Sequence, residues 1–228
     1  DKDIDMVVRV GAIHQERTNR LGYGLIWNLD GLFAEYTRPC LAVRDGKSVS
    51  VSPLSDKEDL VLDGVAYEAF STAEGFAGLH DFARRFQGRV RNFTFRTIRY
   101  PGHLDYMKLL LDDLRLRERK DLWITLLRNG LPAIDLDMVL IHLSAQGMRD
   151  GRSLERSELY RILDGQSGDG AGAGGALSLG SAAHAAACID MLRAGAIPSA
   201  NDPTGNPDGS PVSQNRFLRG VLSRVELD

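Results

Sequence analysis

Residues 96–103 read RTIRYPGH and run directly into LDYMKLLLDDL at residues 104–114. The alternation before the Pro-Gly pair predicts a strand, the pair itself predicts a turn, and the leucine spacing beyond it predicts a helix. The turn carries Arg99, Tyr100 and His103 to a helix N-terminus, where free backbone N–H groups and the helix dipole favour an anion. Because a guanidinium can donate two parallel hydrogen bonds to a carboxylate, this stretch predicts a site for an acidic substrate.

The composition is that of an ordinary globular protein. The 228 residues include 43% hydrophobic and 26% charged side chains with a formal net charge of −3, which indicates neither nucleic-acid nor membrane-surface binding. No apolar run approaches the roughly 20 residues that span a bilayer, and no signal-peptide pattern is apparent. Cys40 and Cys188 lack CxxC spacing, which favours a reducing compartment. We therefore expect a soluble cytoplasmic protein.

Hydrophobic periodicity predicts strands and helices in runs rather than in strict alternation. The predicted strands cover residues 4–13, 22–27, 41–43, 49–51, 60–70 with an interruption at 63–64, 89–99, 138–145 and 153–163. The predicted helices cover 30–36, a segment that begins at 71, 104–114, 121–127, 179–193 and 212–224. Asp30 is expected to cap the first helix, and a capping box at 71–74 the second. Together these elements predict an α+β fold with a large mixed β-sheet and helices packed on one face.

Residues 170–175 match the pattern GxGxxG of dinucleotide-binding loops. That fingerprint requires a buried strand directly before it and an acidic residue near a second strand end about 20 positions later. Here the preceding residues are loop-like, and Asp190, at the right distance, lies inside a predicted helix. We therefore interpret the segment as a mobile surface loop rather than a cofactor site.

None of the five histidines stands at metal-ligand spacing from another His, Cys or carboxylate, so we expect no metal site. His103 lies in the turn beside Arg99 and is a candidate either for acid–base work or simply for capping and packing. Glu68 and the pair Glu35-Tyr36 stand at element ends where a site could form, although structural pairing is the default for both. The residues alone indicate an anion-holding turn, and no catalytic motif such as GxSxG accompanies it.

A wider set of segments resembles the saccharopine dehydrogenase and saccharopine reductase-like family, which includes lysine 6-dehydrogenase relatives. The segment 97–103 is similar to the family's TLRYPGH, and residues 10–11 leading to 19–23 resemble its VGG…NPLGY. The resemblance continues in sequence order through four further segments, at 27–36, 45–47, 67–72 and 182–195. The similarity thus covers nearly the whole chain.

The resemblance implies that residues 1–228 form a C-terminal substrate-binding and dimerisation domain, similar in fold to the C-terminal domain of glyceraldehyde-3-phosphate dehydrogenase. In this family an N-terminal Rossmann domain binds the nicotinamide dinucleotide, NAD or NADP. Because the chain begins with Asp1 and a strand-like run follows at once, we expect it to be a piece of a longer protein or a processed chain. The expected partners are a small amino-acid substrate and a second copy paired through the sheet, with no nucleic acid and no membrane.

The resemblance also implies roles for particular residues. Thr97, Ile98 and Arg99 match the segment that contacts saccharopine, with Arg99 on a substrate carboxylate. Tyr100, Ser71 and Thr72 are expected to hydrogen-bond the amino-acid head, and His103 is the candidate for proton handling. No residue of this chain is expected to bind the cofactor, and the chain alone is expected to have no turnover.

Several alternatives stay open at this point. Fungal saccharopine reductases carry another arginine where this sequence has Ser71-Thr72-Ala73, which leaves a smaller amino acid such as lysine open as the substrate. The implied reaction is hydride transfer at the C–N bond of an amino acid. The competing functions are a non-catalytic dimerisation or binding module and a carboxynorspermidine-type polyamine dehydrogenase.

Overall fold

The computed structural model describes residues 3–73, 86–134, 136–149, 151–163, 175–178 and 180–181. The chain divides into two compact units, residues 1–161 and residues 162–228. Most of the described residues belong to the first unit. In the second, Ile162 and Ala176 are buried. Across the described ranges, no helix is both long enough and apolar enough to cross a membrane.

Within the described residues, eight strands form one mixed sheet, which confirms the predicted α+β fold. They are β1 (Asp5–His14), β2 (Cys40–Arg44), β3 (Lys47–Val51), β4 (Ser55–Leu62), β5 (Val65–Ser71), β6 (Asn92–Arg99), β7 (Asp137–Arg149) and β8 (Arg152–Leu163). The main strand order is β3-β2-β6-β1-β7-β8, and β5 joins β6 and carries β4 beside it. β1 and β6 run parallel, whereas β1–β7, β2–β3, β2–β6, β4–β5 and β5–β6 are antiparallel.

Three described helices accompany the sheet, namely α1 (Leu29–Thr37), α2 (His103–Lys108) and α3 (Lys120–Gly130). A π-helical segment at 109–113 continues α2, and a short 3-10 turn at 116–118 precedes α3. The predicted N-cap of α1 is wrong by two residues. Asn28 is the cap, because its extended backbone precedes the helix and its side chain accepts a 2.6 Å hydrogen bond from the N–H of Gly31. Asp30 lies in the first turn and pairs with Lys120 at 2.7 Å.

The predicted strand at 22–27 is also wrong. Among the described residues, this segment makes only an isolated bridge between Leu25 and Ala133. Its alternating apolar residues Tyr23, Leu25 and Trp27 belong to the helical core instead of a ladder. Together with residues 15–21, the segment forms a loop after β1, which we call the covering loop (residues 15–27), with Gly22 at φ +63°.

The main hydrophobic core packs the helices against one face of the sheet. Its buried members come from the covering loop, the three helices, the π-helical and 3-10 segments, the β3–β4 turn and β5: Tyr23, Leu29, Leu32, Tyr36, Leu54, Phe70, Leu104, Met107, Leu111, Leu116, Trp123, Ile124 and Leu127. β6 aligns Thr97 with Phe70 of β5, so Thr97 and Arg99 share the face on which the helices pack. Ile98 lies on the opposite face, where a Cβ at Gly11 would stand 2.9 Å from its Cβ. The strand that decides the site thus presents Thr97 and Arg99 to the helices.

Several predicted features lie outside the described residues. The helix that was expected to follow the capping box falls mainly within 74–85, and Ser71 itself ends β5. The glycine-rich segment 170–174, nearly all of the predicted helix at 179–193 and the predicted helix at 212–224 are likewise not described.

A buried charge network as candidate functional site

The centre of the candidate site is an ion pair in the interior of the first unit. Nη2 of Arg99, at the end of β6, lies 3.3 Å from Oε1 of Glu35 in α1. Arg99 is 3% exposed and Glu35 is 7% exposed. Taking both charges out of water is costly, so each must be matched by close partners.

Glu35 is held by hydroxyl groups as well as by Arg99. The Thr97 hydroxyl donates to Oε1 of Glu35 at 2.7 Å, and the Thr72 and Thr97 hydroxyls are 2.7 Å apart. Because the single Thr97 proton goes to Glu35, Thr72 is the donor to Thr97. Burial raises the pKa of Glu35, and the positive charge of Arg99 and the Thr97 hydrogen bond oppose that rise. Thr72 also lowers this pKa, so Arg99, Thr97 and Thr72 together stabilise the charged form of Glu35.

On its other side, Arg99 begins a chain of hydrogen bonds through two aromatic residues. Nε of Arg99 donates to the Tyr36 hydroxyl at 2.8 Å, and that hydroxyl lies 2.9 Å from Nε2 of His103. Nδ1 of His103 lies 2.9 Å from the carbonyl oxygen of Leu21. Since a carbonyl only accepts, Nδ1 carries the proton, Nε2 is the acceptor, and the Tyr36 hydroxyl donates to it.

Burial is the largest cause of the pKa shifts of Tyr36 and His103 in this hydrogen-bonded series. Burial, and then the charge of Arg99, lowers the pKa of His103 to about 3. Burial also raises the pKa of Tyr36 well above its ordinary value. His103 is thus a neutral imidazole with both nitrogens engaged at neutral pH, which favours the capping and packing interpretation. Its acid–base role stays a prediction.

The Arg99 guanidinium is also fixed by rings and by the main chain. Its Cζ atom lies 5.2 Å from the ring centroid of Tyr23 and 5.8 Å from that of Tyr36, which is the range of cation–π attraction. Nη1 donates to the carbonyl oxygen of Ile98 at 2.9 Å. Burial alone would lower the pKa of Arg99, but the Tyr36 hydroxyl and the Glu35 carboxylate beside it raise that pKa. The result is a permanent, immobilised positive charge.

The helix N-terminus after the Pro-Gly turn is already filled by a carboxylate of the protein. Oε2 of Glu68 accepts a 3.0 Å hydrogen bond from the N–H of Gly102, and Oε1 accepts one at 2.7 Å from Leu104. Glu68 reaches this position because it is the register partner of Arg99 on β5. The structural pairing expected for Glu68 is therefore confirmed, and Glu68 accepts from the N–H groups expected to favour an anion at this turn, whereas the role of Arg99 on a substrate carboxylate stays a prediction.

The structure gathers some of the predicted site residues and separates others. Thr72, Thr97, Arg99 and His103 belong to one buried network with Glu35 and Tyr36. The other three predicted residues lie outside this network. Ser71 donates to Asp56 at 3.2 Å, and the side chain of Ile98 lies on the opposite sheet face. The Tyr100 hydroxyl donates to the carbonyl oxygens of His14 and Gln15, at 2.9 and 3.2 Å.

Sequence reasoning missed two contributions from the covering loop. The Tyr23 ring stands over Arg99, and the Leu21 carbonyl fixes the tautomer of His103. The loop is held by Asn19, whose side-chain amide donates to the carbonyl oxygen of Tyr23 at 2.7 Å. An aromatic residue between two glycines was the available signal, but it was interpreted as part of a strand.

The site thus combines a permanent positive charge at the end of β6, its paired carboxylate in α1 and a neutral histidine at the start of α2. Within the described ranges, no group of three or more His, Cys, Asp or Glu residues could hold a metal ion. The family model described as "Saccharopine dehydrogenase C-terminal domain" matches residues 4–189. The chain belongs to this family.

A comparison with solved structures agrees with this assignment at the level of the fold. The chain is similar to apo histidine-tagged saccharopine dehydrogenase (L-Glu forming) from Saccharomyces cerevisiae, with a TM-score of 0.68 and 14% sequence identity. The similarity covers 96% of this chain and 64% of the yeast chain. The present chain therefore corresponds to somewhat less than two thirds of the yeast protein.

Proposed function

We propose that this chain is the substrate domain of an NAD(P)-dependent oxidoreductase acting on the C–N bond of an amino acid such as saccharopine or lysine. The observation that carries the proposal is the family match over residues 4–189, which includes the β6 strand that holds Thr97 and Arg99 in one buried network. The yeast protein of similar fold bears the name of a saccharopine dehydrogenase.

The cofactor is assigned to a part of the protein other than the described residues. Within the described ranges, β1 leads into the covering loop and β6 into the Pro-Gly turn, and neither forms the strand–glycine loop–helix that cradles a dinucleotide. The described residues therefore do not fit a principal NAD(P) site, and their proposed task is to bind and orient the amino acid.

We assign Arg99 to the carboxylate of the substrate and Glu35 to its ammonium group. An amino acid carries both a carboxylate and an ammonium group. Its head can therefore insert between Arg99 and Glu35, and each of their charges then pairs with the opposite charge of the substrate. Tyr36 and the Ile98 carbonyl keep the guanidinium oriented during this exchange. Tyr23 covers Arg99, so entry of the substrate displaces part of the covering loop.

The test is turnover by the full-length protein, followed as nicotinamide absorbance. The panel contains saccharopine, lysine, aminoadipate semialdehyde with glutamate, and carboxynorspermidine, each with NAD or NADP in the matching redox state. A signal with one amino acid supports the proposal, and a signal with carboxynorspermidine alone moves the assignment to the polyamine enzyme. Silence with every substrate contradicts the proposal and favours the non-catalytic module.

An Arg99→Ala variant of the active protein then tests the site. We expect its KM for the substrate to rise at least tenfold, since a hydrogen-bonded charge partner is lost. Arg115→Ala is the matched control, because Arg115 is 74% exposed and pairs only with the nearby Glu118 in the described structure. An unchanged KM in the Arg99 variant would remove Arg99 from the substrate site.

We also propose that the domain forms a homodimer through the sheet face opposite the helices. Arg9, Glu58 and Arg96 form a partly exposed ion cluster there. Because each of these three side chains keeps part of its surface exposed, a second copy can contact the cluster. Light scattering of the full-length protein should give twice the chain mass, and Arg96→Glu should reduce it. A monomer at micromolar concentration would overturn this part of the proposal.

A further inference from the structure

The carboxyl ends of β1 and β6 meet at one edge of the sheet, because the two strands are parallel neighbours. β1 ends at His14 and β6 ends at Arg99. The register aligns Val10 with Thr97, so its continuation places the Cα atom of His14 on the order of 8 Å from that of Arg99. One amino-acid head with its side chain can span that distance.

The imidazole of His14 is buried and lacks the partners that such a group requires. His14 is 2% exposed, and neither Nδ1 nor Nε2 has a hydrogen-bond partner among the described residues. The backbone of Gly22 comes close enough to raise the pKa in part, but no hydrogen bond of normal geometry joins it to the ring. Leaving a buried polar group unpaired is costly, so native structures rarely contain one without a reason.

The described residues around His14 pack against its ring but form no hydrogen bond with its nitrogens. The Tyr100 ring meets the imidazole edge-on with centroids 5.3 Å apart, and the Tyr100 hydroxyl donates to the His14 carbonyl oxygen. Asp137 of β7, 4% exposed, is the register partner of His14 and shares its sheet face. Burial lowers the pKa of His14, and Arg17 lowers it further. By contrast, His103 near the same edge has both nitrogens engaged.

A neutral imidazole offers one donor and one acceptor, and the acceptor suits an N–H of an amine, an ammonium group or an imine. We propose that His14 accepts a hydrogen bond from the reacting nitrogen of the amino-acid substrate whose carboxylate Arg99 holds. This inference rests on the proposed function and gives the site a second contact point at the end of β1. An ordered water on His14 is the competing explanation.

The experiment uses the full-length protein with ¹⁵N-labelled histidine, titrated with saccharopine, lysine and glutamate while the imidazole nitrogen resonances are recorded. We expect one of these ligands to shift the His14 resonances at saturation and to leave those of His142 in place. We also expect His14→Phe to weaken binding of that ligand by about tenfold to a hundredfold. His14→Gln keeps a hydrogen-bonding group and should lose less.

His142→Gln is the matched control, since His142 lies on the same sheet but contacts Arg9 and Ser157. If His14→Phe fails to fold, the wild-type titration and His14→Gln still decide. Turnover with unmoved His14 resonances would overturn this inference and leave the proposed function intact. Shifted resonances without turnover would support the contact and contradict the oxidoreductase. Neither shift nor turnover would overturn both.

Discussion

Glu35 and Arg99 form an ion pair, Oε1 to Nη2 at 3.3 Å, between a helix and a strand 64 residues apart in sequence. Both side chains are buried, and each has a second set of partners that fixes its orientation. A buried ion pair contributes little net stability relative to well-packed apolar groups, but removing one partner leaves a charge without compensation. The packing of α1 against the sheet therefore depends on Glu35 being paired with Arg99 of β6.

Glu35→Gln should lower the free energy of unfolding by about 3–5 kcal/mol, because the Arg99 charge stays buried and unpaired. Urea denaturation followed by circular dichroism measures this loss. The double variant Glu35→Leu, Arg99→Met should lose clearly less free energy of unfolding than the sum of the losses in the single variants Glu35→Leu and Arg99→Met. Additive losses would show that the two charges do not interact.

Tyr36→Phe should lower the free energy of unfolding by about 1–3 kcal/mol. The substitution removes the hydroxyl that accepts from Arg99 and donates to His103, and it leaves the packing of the ring unchanged. The same denaturation experiment applies. Tyr106→Phe, on the partly exposed surface of α2, is the control and should stay within about 0.5 kcal/mol of the wild type. Equal effects for the two variants would contradict the bridging role of Tyr36.

His103 should remain neutral far into the acid range. Its folded pKa is about 3, whereas that of an unfolded histidine is about 6.5. Between these values the unfolded chain binds a proton that the folded chain does not. This contribution to stability is therefore complete above about pH 6.5 and is lost as the pH falls toward 3, by up to about 1.4 kcal/mol per pH unit.

Nitrogen chemical shifts of His103 test this directly, and they should report a protonated Nδ1 and a bare Nε2 from pH 8 to about pH 4.5. The free energy of unfolding of His103→Gln should fall less steeply over the same range than that of the wild type. A midpoint near 6.5 for His103 in the folded protein would refute its burial in this network.

Glu68→Ala should lower the free energy of unfolding by about 2 kcal/mol or more. The Glu68 carboxylate accepts from two backbone N–H groups at the start of α2, and the loss of a cap typically costs about 1 kcal/mol for one such bond. Glu16→Ala, in the exposed part of the covering loop, is the control and should have no measurable effect. Thermal unfolding compares the two, and a neutral Glu68→Ala would show that water replaces the carboxylate.

Local signals in the sequence were sufficient for much of the sheet and for the helix after the turn. The alternation up to Arg99 and the Pro-Gly pair correctly predicted the end of β6 and the start of α2, and the predicted strands at 41–43 and 49–51 correspond to β2 and β3. The segment 22–27 failed because alternation of apolar residues does not distinguish a strand from a loop whose side chains fill a helical core. Only tertiary contact decides between the two.

The site could be predicted only in part for a related reason. Thr97 and Arg99 share a strand face by the two-residue period, so their convergence followed from the sequence. The choice of Glu35 as the partner of Arg99 depends on how α1 crosses the sheet, which no local pattern specifies. Likewise, the shortage of partners at His14 is a property of the packed interior, and in the sequence alone His14 is only one of five histidines without metal-ligand spacing.

The parallel pairing of β1 with β6 also has a kinetic consequence. All of α1 and β2–β5 lies between the two strands in sequence, and the chain entropy lost in joining them must be overcome before their contacts stabilise the fold. His14, Glu35 and Arg99 approach one another only after that closure. A ribosome-bound or proteolysed chain that ends before β6 therefore has hydrophobic hairpins but no charge network, and ligand affinity should emerge in a single late step of folding rather than gradually.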